Sequence, residues 1–239
     1  MIILDCDEVI KKLKSMENPS AVQPMAKYGI NPKNNLGITV TNIIKFSKTI
    51  GKDHQLAQEL WSTEIRDARL LACLIDDPKL VTEKQLESWV MDFNSWDLCD
   101  HCCGHLFDKT EFAYNKVQEW SSRDEEFVKR AGFALLAFLV LHDKKKNDEE
   151  FLKYLPMIKR EAVDERNYVK KAVNWALRHI GKRSQFLNKK AIKVAEEIKK
   201  MDSKAARWIA ADALRELTSE KVQDRLRKKN QKLSAGKNR

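Results

Sequence analysis

The chain has 239 residues, 33% of them charged and 43% hydrophobic, and a formal net charge of +10. That length can bury a core without staples, and that composition excludes a disordered chain. No apolar run approaches a membrane span, Asp7 and Glu8 follow Met1 to Leu4 too soon for a signal peptide, and the positive balance suggests a polyanion partner. Five cysteines, an odd number with no secretory signal, point to reduced thiols in a cytoplasmic protein.

The apolar spacing is helical almost throughout, and no convincing strand alternation is found. A first helix is expected over 5–14, and a short second one, flanked by Pro19 and Pro24, runs toward Tyr28. Residues 29–35 have the turn chemistry of a loop. Helices are then expected near 39–50, 53–61, 64–75, 82–92, 95–107, 109–120, 124–141, 148–161, 165–181, 184–200, 203–217 and 220–229.

The stretch Asn94-Ser95-Trp96-Asp97-Leu98-Cys99-Asp100 opens one of these helices. Asn94 or Ser95 can act as N-cap, and Asp97 falls in the first turn, facing the positive helix end. Trp96 and Asp100 are four apart and share a face. A ring beside a carboxylate can hold a sugar whose charge becomes positive. It can equally be a Trp that staples the helix to its neighbour and an Asp that faces water.

Helix 124–141 begins with Asp124-Glu125-Glu126 and is apolar on all sides beyond Gly132, so it is expected to be central. Arg130 sits where its polar half ends, either paired with an acid or presented to an anion. In helix 165–181, Tyr168, Val169, Ala172, Val173, Ala176, Leu177 and Ile180 form a core stripe. Lys171, Trp175, Arg178 and Lys182 form a separate stripe. Trp175 there is either covered by Lys and Arg stems or faces a nucleic-acid backbone, with the cations on phosphates. From Arg225 to Arg239 there are seven Lys or Arg and no acid, a segment expected to be solvated, mobile and available for loose phosphate contact.

Internal self-similarity has a period near 40. Val128-Lys129-Arg130-Ala131 recurs as Val169-Lys170-Lys171-Ala172, 41 residues later, and Ala176-Leu177-Arg178 as Ala213-Leu214-Arg215, 37 later. Two helices per period match the HEAT or armadillo class, an all-α solenoid of antiparallel helix pairs in a curved array. An irregular helical bundle is the alternative. Residues 1–220 are taken as one repeat domain and 221–239 as a helix end and basic tail.

Other chemistries find little support. Cys99, His101, Cys102, Cys103 and His105 crowd onto one helix, pointing several ways, and Cys6 and Cys73 stand apart, so no metal is expected. No phosphate-binding loop, dinucleotide fingerprint or serine-hydrolase elbow occurs, so no cofactor is expected.

The residues carry a family resemblance. Pro24-Met25-Ala26-Lys27-Tyr28, Leu36-Gly37-Ile38, Glu59-Leu60-Trp61 with Glu64 and Arg66, Ser95 to Asp100, Lys129-Arg130-Ala131 and Lys171 to Arg178 follow one another in family order. Over roughly 18–215 the chain resembles the AlkD-type DNA alkylation repair glycosylases, which are built of HEAT-like repeats. The resemblance implies a catalytic acid at Asp100, sugar-facing aromatics at Trp96 and Trp175, an arginine near the lesion at Arg130 and an N-terminal aromatic at Tyr28. It implies a monomer acting on double-stranded DNA with alkylated bases, without a tight base-flipping pocket, and with no membrane, metal or nucleotide cofactor. Lys171, Arg178 and Lys182 would contact phosphates. Three departures stand out: Thr39-Val40-Thr41-Asn42 replaces a segment that usually carries a Pro and an Arg, the N-terminal region is short, and the basic tail is extra. A non-catalytic DNA binder and a protein-interaction scaffold are the rival readings.

Overall fold

The computed structural model describes residues 5–237, with side chains through 231. The described residues contain helices and turns and no strand. No helix among them is long and apolar enough to cross a membrane. The contacts gather into two compact units, Met1–Asn115 and Lys116–Arg239, a division that the sequence reading of 1–220 as one domain does not draw.

The first unit contains α1 (Cys6–Ser15), α2 (Pro19–Lys27), α3 (Val40–Ile50), α4 (His54–Ser62), α5 (Arg66–Ile75), α6 (Glu83–Met91) and α7 (Trp96–His105). Short polar residues start several of them. Asp5 and Glu8 form a reciprocal capping box on α1, and the side chains of Thr39, Asp53 and Thr82 accept from the backbone of Asn42, Leu56 and Gln85. Apolar faces then bury Ile43 of α3, Leu60 of α4, Leu70 and Leu71 of α5 and Leu98 of α7. α5 lies at the centre, packed against α3, α4 and α7.

α8 (Ala113–Ser121) ends in the second unit, which continues with α9 (Glu126–His142), α10 (Leu155–Glu161), α11 (Asn167–Gly181), α12 (Gln185–Lys199), α13 (Lys204–Leu217) and α14 (Glu220–Lys237). α9, α11 and α13 start at 126, 167 and 204, so they are 41 and 37 residues apart, the spacings at which the sequence repeats itself. α11 packs on both α9 and α13, and each link helix packs beside its partner, α12 on α13. The expected central helix is confirmed: α9 buries Phe133 to Ala137, Leu139 and Val140. Gly132 is required there, because a Cβ would lie 2.6 Å from the backbone nitrogen of Ser121 at the end of α8.

Three expected helices differ in extent. The one near 109–120 starts at Ala113, after a 3-10 turn over Phe107–Lys109 in which the Thr110 hydroxyl donates to the Phe107 carbonyl at 2.8 Å. The one near 148–161 is 3-10 from Asp148 to Tyr154 and α only as α10, since Pro156 has no N–H with which to continue an α ladder back to Leu152. The last runs to Lys237, well past the expected 229, so the basic segment from Arg225 is helical as far as it is described. Residues 238–239 of the expected tail lie outside the described residues.

Candidate active site

In the first unit, Ser95 occupies the N-cap of α7, but its hydroxyl does not cap the helix. It donates to Asp97 Oδ1 at 2.6 Å instead. The other oxygen of Asp97 takes Nε and Nη2 of Arg66, at 2.7 and 2.5 Å. Both side chains are buried, so Asp97 is committed to a two-pronged ion pair between α7 and α5. Arg66 also reaches Asp67 Oδ1 at 3.0 Å, and Asp67 accepts the backbone N–H groups of Leu36 at 2.7 Å and Ile38 at 3.1 Å. Burial pushes the Asp67 carboxyl above its usual range, against the lowering effect of Arg66 and those amides. The network therefore pins the loop before α3 onto α5 and α7. Gly37 lets the loop fit: its φ is +73°, and a Cβ would meet the Asn18 carbonyl oxygen at 2.1 Å.

Asp97 removed, Asp100 is the other carboxylate at the start of α7. It is half-buried, as is Trp96 one turn earlier, so ring and carboxylate share a partly open face. The Trp96 indole N–H donates to the Tyr28 carbonyl at 2.8 Å. Trp96 is thus also a staple, holding the end of α2 beside the acid-bearing helix, while the Tyr28 ring is 78% exposed.

The cysteine-rich part of α7 faces inward. Cys73 of α5 and Cys102 of α7 form a disulfide with Cα atoms 5.3 Å apart. This corrects the expectation of reduced thiols with Cys73 standing alone: α5 and α7 are packed side by side, which sequence spacing does not reveal. Cys99 and Cys103 are outside the disulfide and buried, and burial, with Cys99 and the Asp100 charge nearby, pushes the Cys103 thiol well up. Burial, then His105, lowers His101 to about 3, so it is neutral at physiological pH.

In the second unit, the Arg130 side chain is buried and Nη1 donates to the Tyr168 carbonyl at 2.8 Å. Its neighbour Lys129 pairs with Glu161 at 2.7 Å and Asp164 at 3.7 Å. Trp175 is half-buried on α11 and meets Phe138 and His179 edge-on, with centroids 5.1 and 5.6 Å away. The expected stripe is present, with Lys171 exposed and Arg178 and Lys182 half-buried. Two of its cations already hold acids of α13. Arg178 Nη1 lies 3.3 Å from Asp212 and 2.9 Å from Glu216, and Lys182 lies 2.9 Å from Glu216. Burial works against it, yet Lys182 and Arg178 hold Glu216 below its ordinary value. Burial and the same two cations lower His179 to about 4.

The sequence reading missed the support under these residues. Arg66 and Asp67 sit in a helix whose other described positions are almost all apolar and buried, and charges at such positions are the available signal. The acids of α13 lie one repeat beyond the cations that they neutralise, Asp212 and Glu216 after Arg178 and Glu216 after Lys182.

Residues 9–217 match the model of a family described as DNA alkylation repair enzyme. An uncharacterized protein of Listeria innocua is 23% identical over 199 residues, covering 82% of this chain and 87% of that one. Another, of Listeria monocytogenes, is 22% identical with the same coverage. A solved structure described as a new family of proteins related to the HEAT-like repeat DNA glycosylases, with affinity for branched DNA structures, superposes with a TM-score of 0.74. That match covers 89% of this chain and 95% of the other at 20% identity, so the fold is HEAT-like.

Proposed function

The chain belongs to the DNA alkylation repair enzyme family, and within it we propose a DNA glycosylase of base-excision repair that hydrolyses the N-glycosidic bond of cationic alkylated purines. Its substrates are N3-alkyladenine and N7-alkylguanine in duplex DNA, met at the nucleoid. The observation that carries this reading is the division of labour at the start of α7. Asp97 is neutralised by Arg66, and Asp100 keeps the half-open face with Trp96.

The chemistry needs one carboxylate. An alkylated purine already carries positive charge, so it leaves without protonation, and the second acid of ordinary glycoside hydrolysis is dispensable. Asp100 stabilises the oxocarbenium developing at C1′ and orients the attacking water. Trp96 offers its ring face to the same cationic sugar, and Trp175 is proposed as a second sugar-facing aromatic. Tyr28, Arg130, Lys171, Arg178 and Lys182 are proposed as DNA contacts. For Arg178 and Lys182 this means exchanging a carboxylate of α13 for a phosphate.

A second reading is DNA binding without chemistry. The related structure with affinity for branched DNA favours it, and Asp100 beside Trp96 weighs against it. One experiment separates the two: a duplex containing N7-methylguanine and an undamaged four-way junction are each incubated with the protein. Free N7-methylguanine is the expected result. Tight junction binding with no released base would replace the glycosylase by the binder.

A further inference from the structure

A pocket of about 260 Å³ opens in the second unit where the end of α9, the turn after α11 and one side of α14 come together. Its wall carries five cations, Lys144, Lys182, Arg183, Arg225 and Lys229, with His179 and no carboxylate among the described residues.

The cations are not equivalent. Arg183 is structural: Nε pairs with Asp148 at 2.9 Å, and its other nitrogens donate to the carbonyls of Val140, Asp143 and Lys146 at 2.7, 2.7 and 2.6 Å. Lys182 holds Glu216. Lys144, Arg225 and Lys229 donate to main-chain carbonyls, those of Leu141, Lys182 and Arg183, the last two at 3.1 and 2.6 Å. A carbonyl orients a cation but does not neutralise it. Among the described residues, the acids that these five cations pair with are Asp148 and Glu216, behind the wall.

The titrating groups register the excess. Burial first, then Lys144, Arg183 and Arg225, draw Lys229 below its ordinary value, against the pull of Asp148. His179 is neutral for the related reason that burial, Lys182 and Arg178 oppose its protonation. A concave positive wall focuses the field on its mouth and raises the local concentration of anions.

We propose that this pocket binds a phosphate group. Three charge-bearing side chains from α14 and the turn after α9 supply separate N–H donors, which suits an anion with several oxygens. The pocket is too small for a base pair and large enough for one phosphate with part of its ester. α14 lies beyond residues 9–217, the span that the family model matches, so Arg225 and Lys229 stand outside that span and the other lining residues inside it. The phosphate comes either from a DNA strand, as an anchor remote from the chemistry, or from a free phosphate ester. Neither source depends on the glycosylase reading, because binding alone is measured.

The test compares the full chain with Arg225→Ala/Lys229→Ala and with the charge-matched Lys193→Ala/Lys228→Ala, whose exposed positions lie outside the pocket. Calorimetry follows inorganic phosphate at low salt, and anisotropy follows a short undamaged duplex. Loss of two charged donors predicts a weakening of about tenfold or more in the pocket variant and little in the control. A selective loss of duplex affinity identifies a strand phosphate as the ligand. A selective loss of inorganic phosphate with duplex affinity intact identifies a free ester. If the two variants behave alike in both arms, the charge is diffuse and the proposal is overturned.

Discussion

Asp97 and Asp100 are three residues apart and chemically identical, yet the first is buried against Arg66 and the second is half-exposed. On the proposed mechanism Asp100 meets a charge that exists only in the transition state, so Asp100→Asn is expected to slow base release by about 10²–10³ while fold and DNA affinity persist. Asp97→Asn breaks the buried pair with Arg66, which keeps Asp67, and is expected to cost about 1–3 kcal/mol of stability. Single-turnover release of N7-methylguanine and thermal melts on both variants decide it. Parental release from Asp100→Asn would mean that the acid has been misassigned. His101 makes a second prediction. Its ordinary value is 6.5 and burial lowers it to about 3, so the unfolded chain takes up a proton below pH 6.5 while the folded chain refuses it. Stability therefore falls as pH drops through that window, by about 2 kcal/mol at pH 5 from this residue alone. The gap between urea midpoints at pH 7 and pH 5 should narrow in His101→Gln, with His179 keeping part of it; an unchanged gap would show that His101 contributes none of it.

At the scale of elements, periodicity revealed most of the helices because most carry a clear apolar stripe. Val169, Ala172, Val173, Ala176, Leu177 and Ile180 of α11 are all buried, as their spacing requires, and Tyr168 at the start is half-buried. The reading failed where one residue alters the ladder, as Pro156 does ahead of α10. The face shared by Trp96 and Asp100 was legible for the same reason, since a four-residue spacing fixes it. Partners were not legible: Arg66 meets Asp97, and Cys73 meets Cys102, only because α5 and α7 lie side by side. Gly37 tests how firmly that assembly holds the loop. Gly37→Ala places a side chain at positive φ and against the Asn18 carbonyl, which is backbone and cannot swing aside. Strain of about 1–3 kcal/mol from the φ value alone is expected, seen as a lower melting temperature. A melt equal to the parent's would show that the loop yields.

For the whole molecule, the net charge of +10 sets the first expectation. Duplex affinity should fall steeply with salt, its logarithmic slope near 0.9 per neutralised phosphate, and a flat response would remove DNA backbone contact from the account. Glu216 makes the matter kinetic. It draws on Arg178 and Lys182 together, so if these cations hold DNA as proposed, each encounter with a phosphate competes with a carboxylate already in place. A protein that inspects long tracts of sound DNA gains from such competition, because it shortens the dwell time at each site. Glu216→Gln should accordingly bind undamaged duplex more tightly, through slower dissociation, and travel along it more slowly. Stopped-flow release from undamaged DNA measures this directly, and a dissociation rate unchanged by the substitution would mean that Glu216 does not brake the grip.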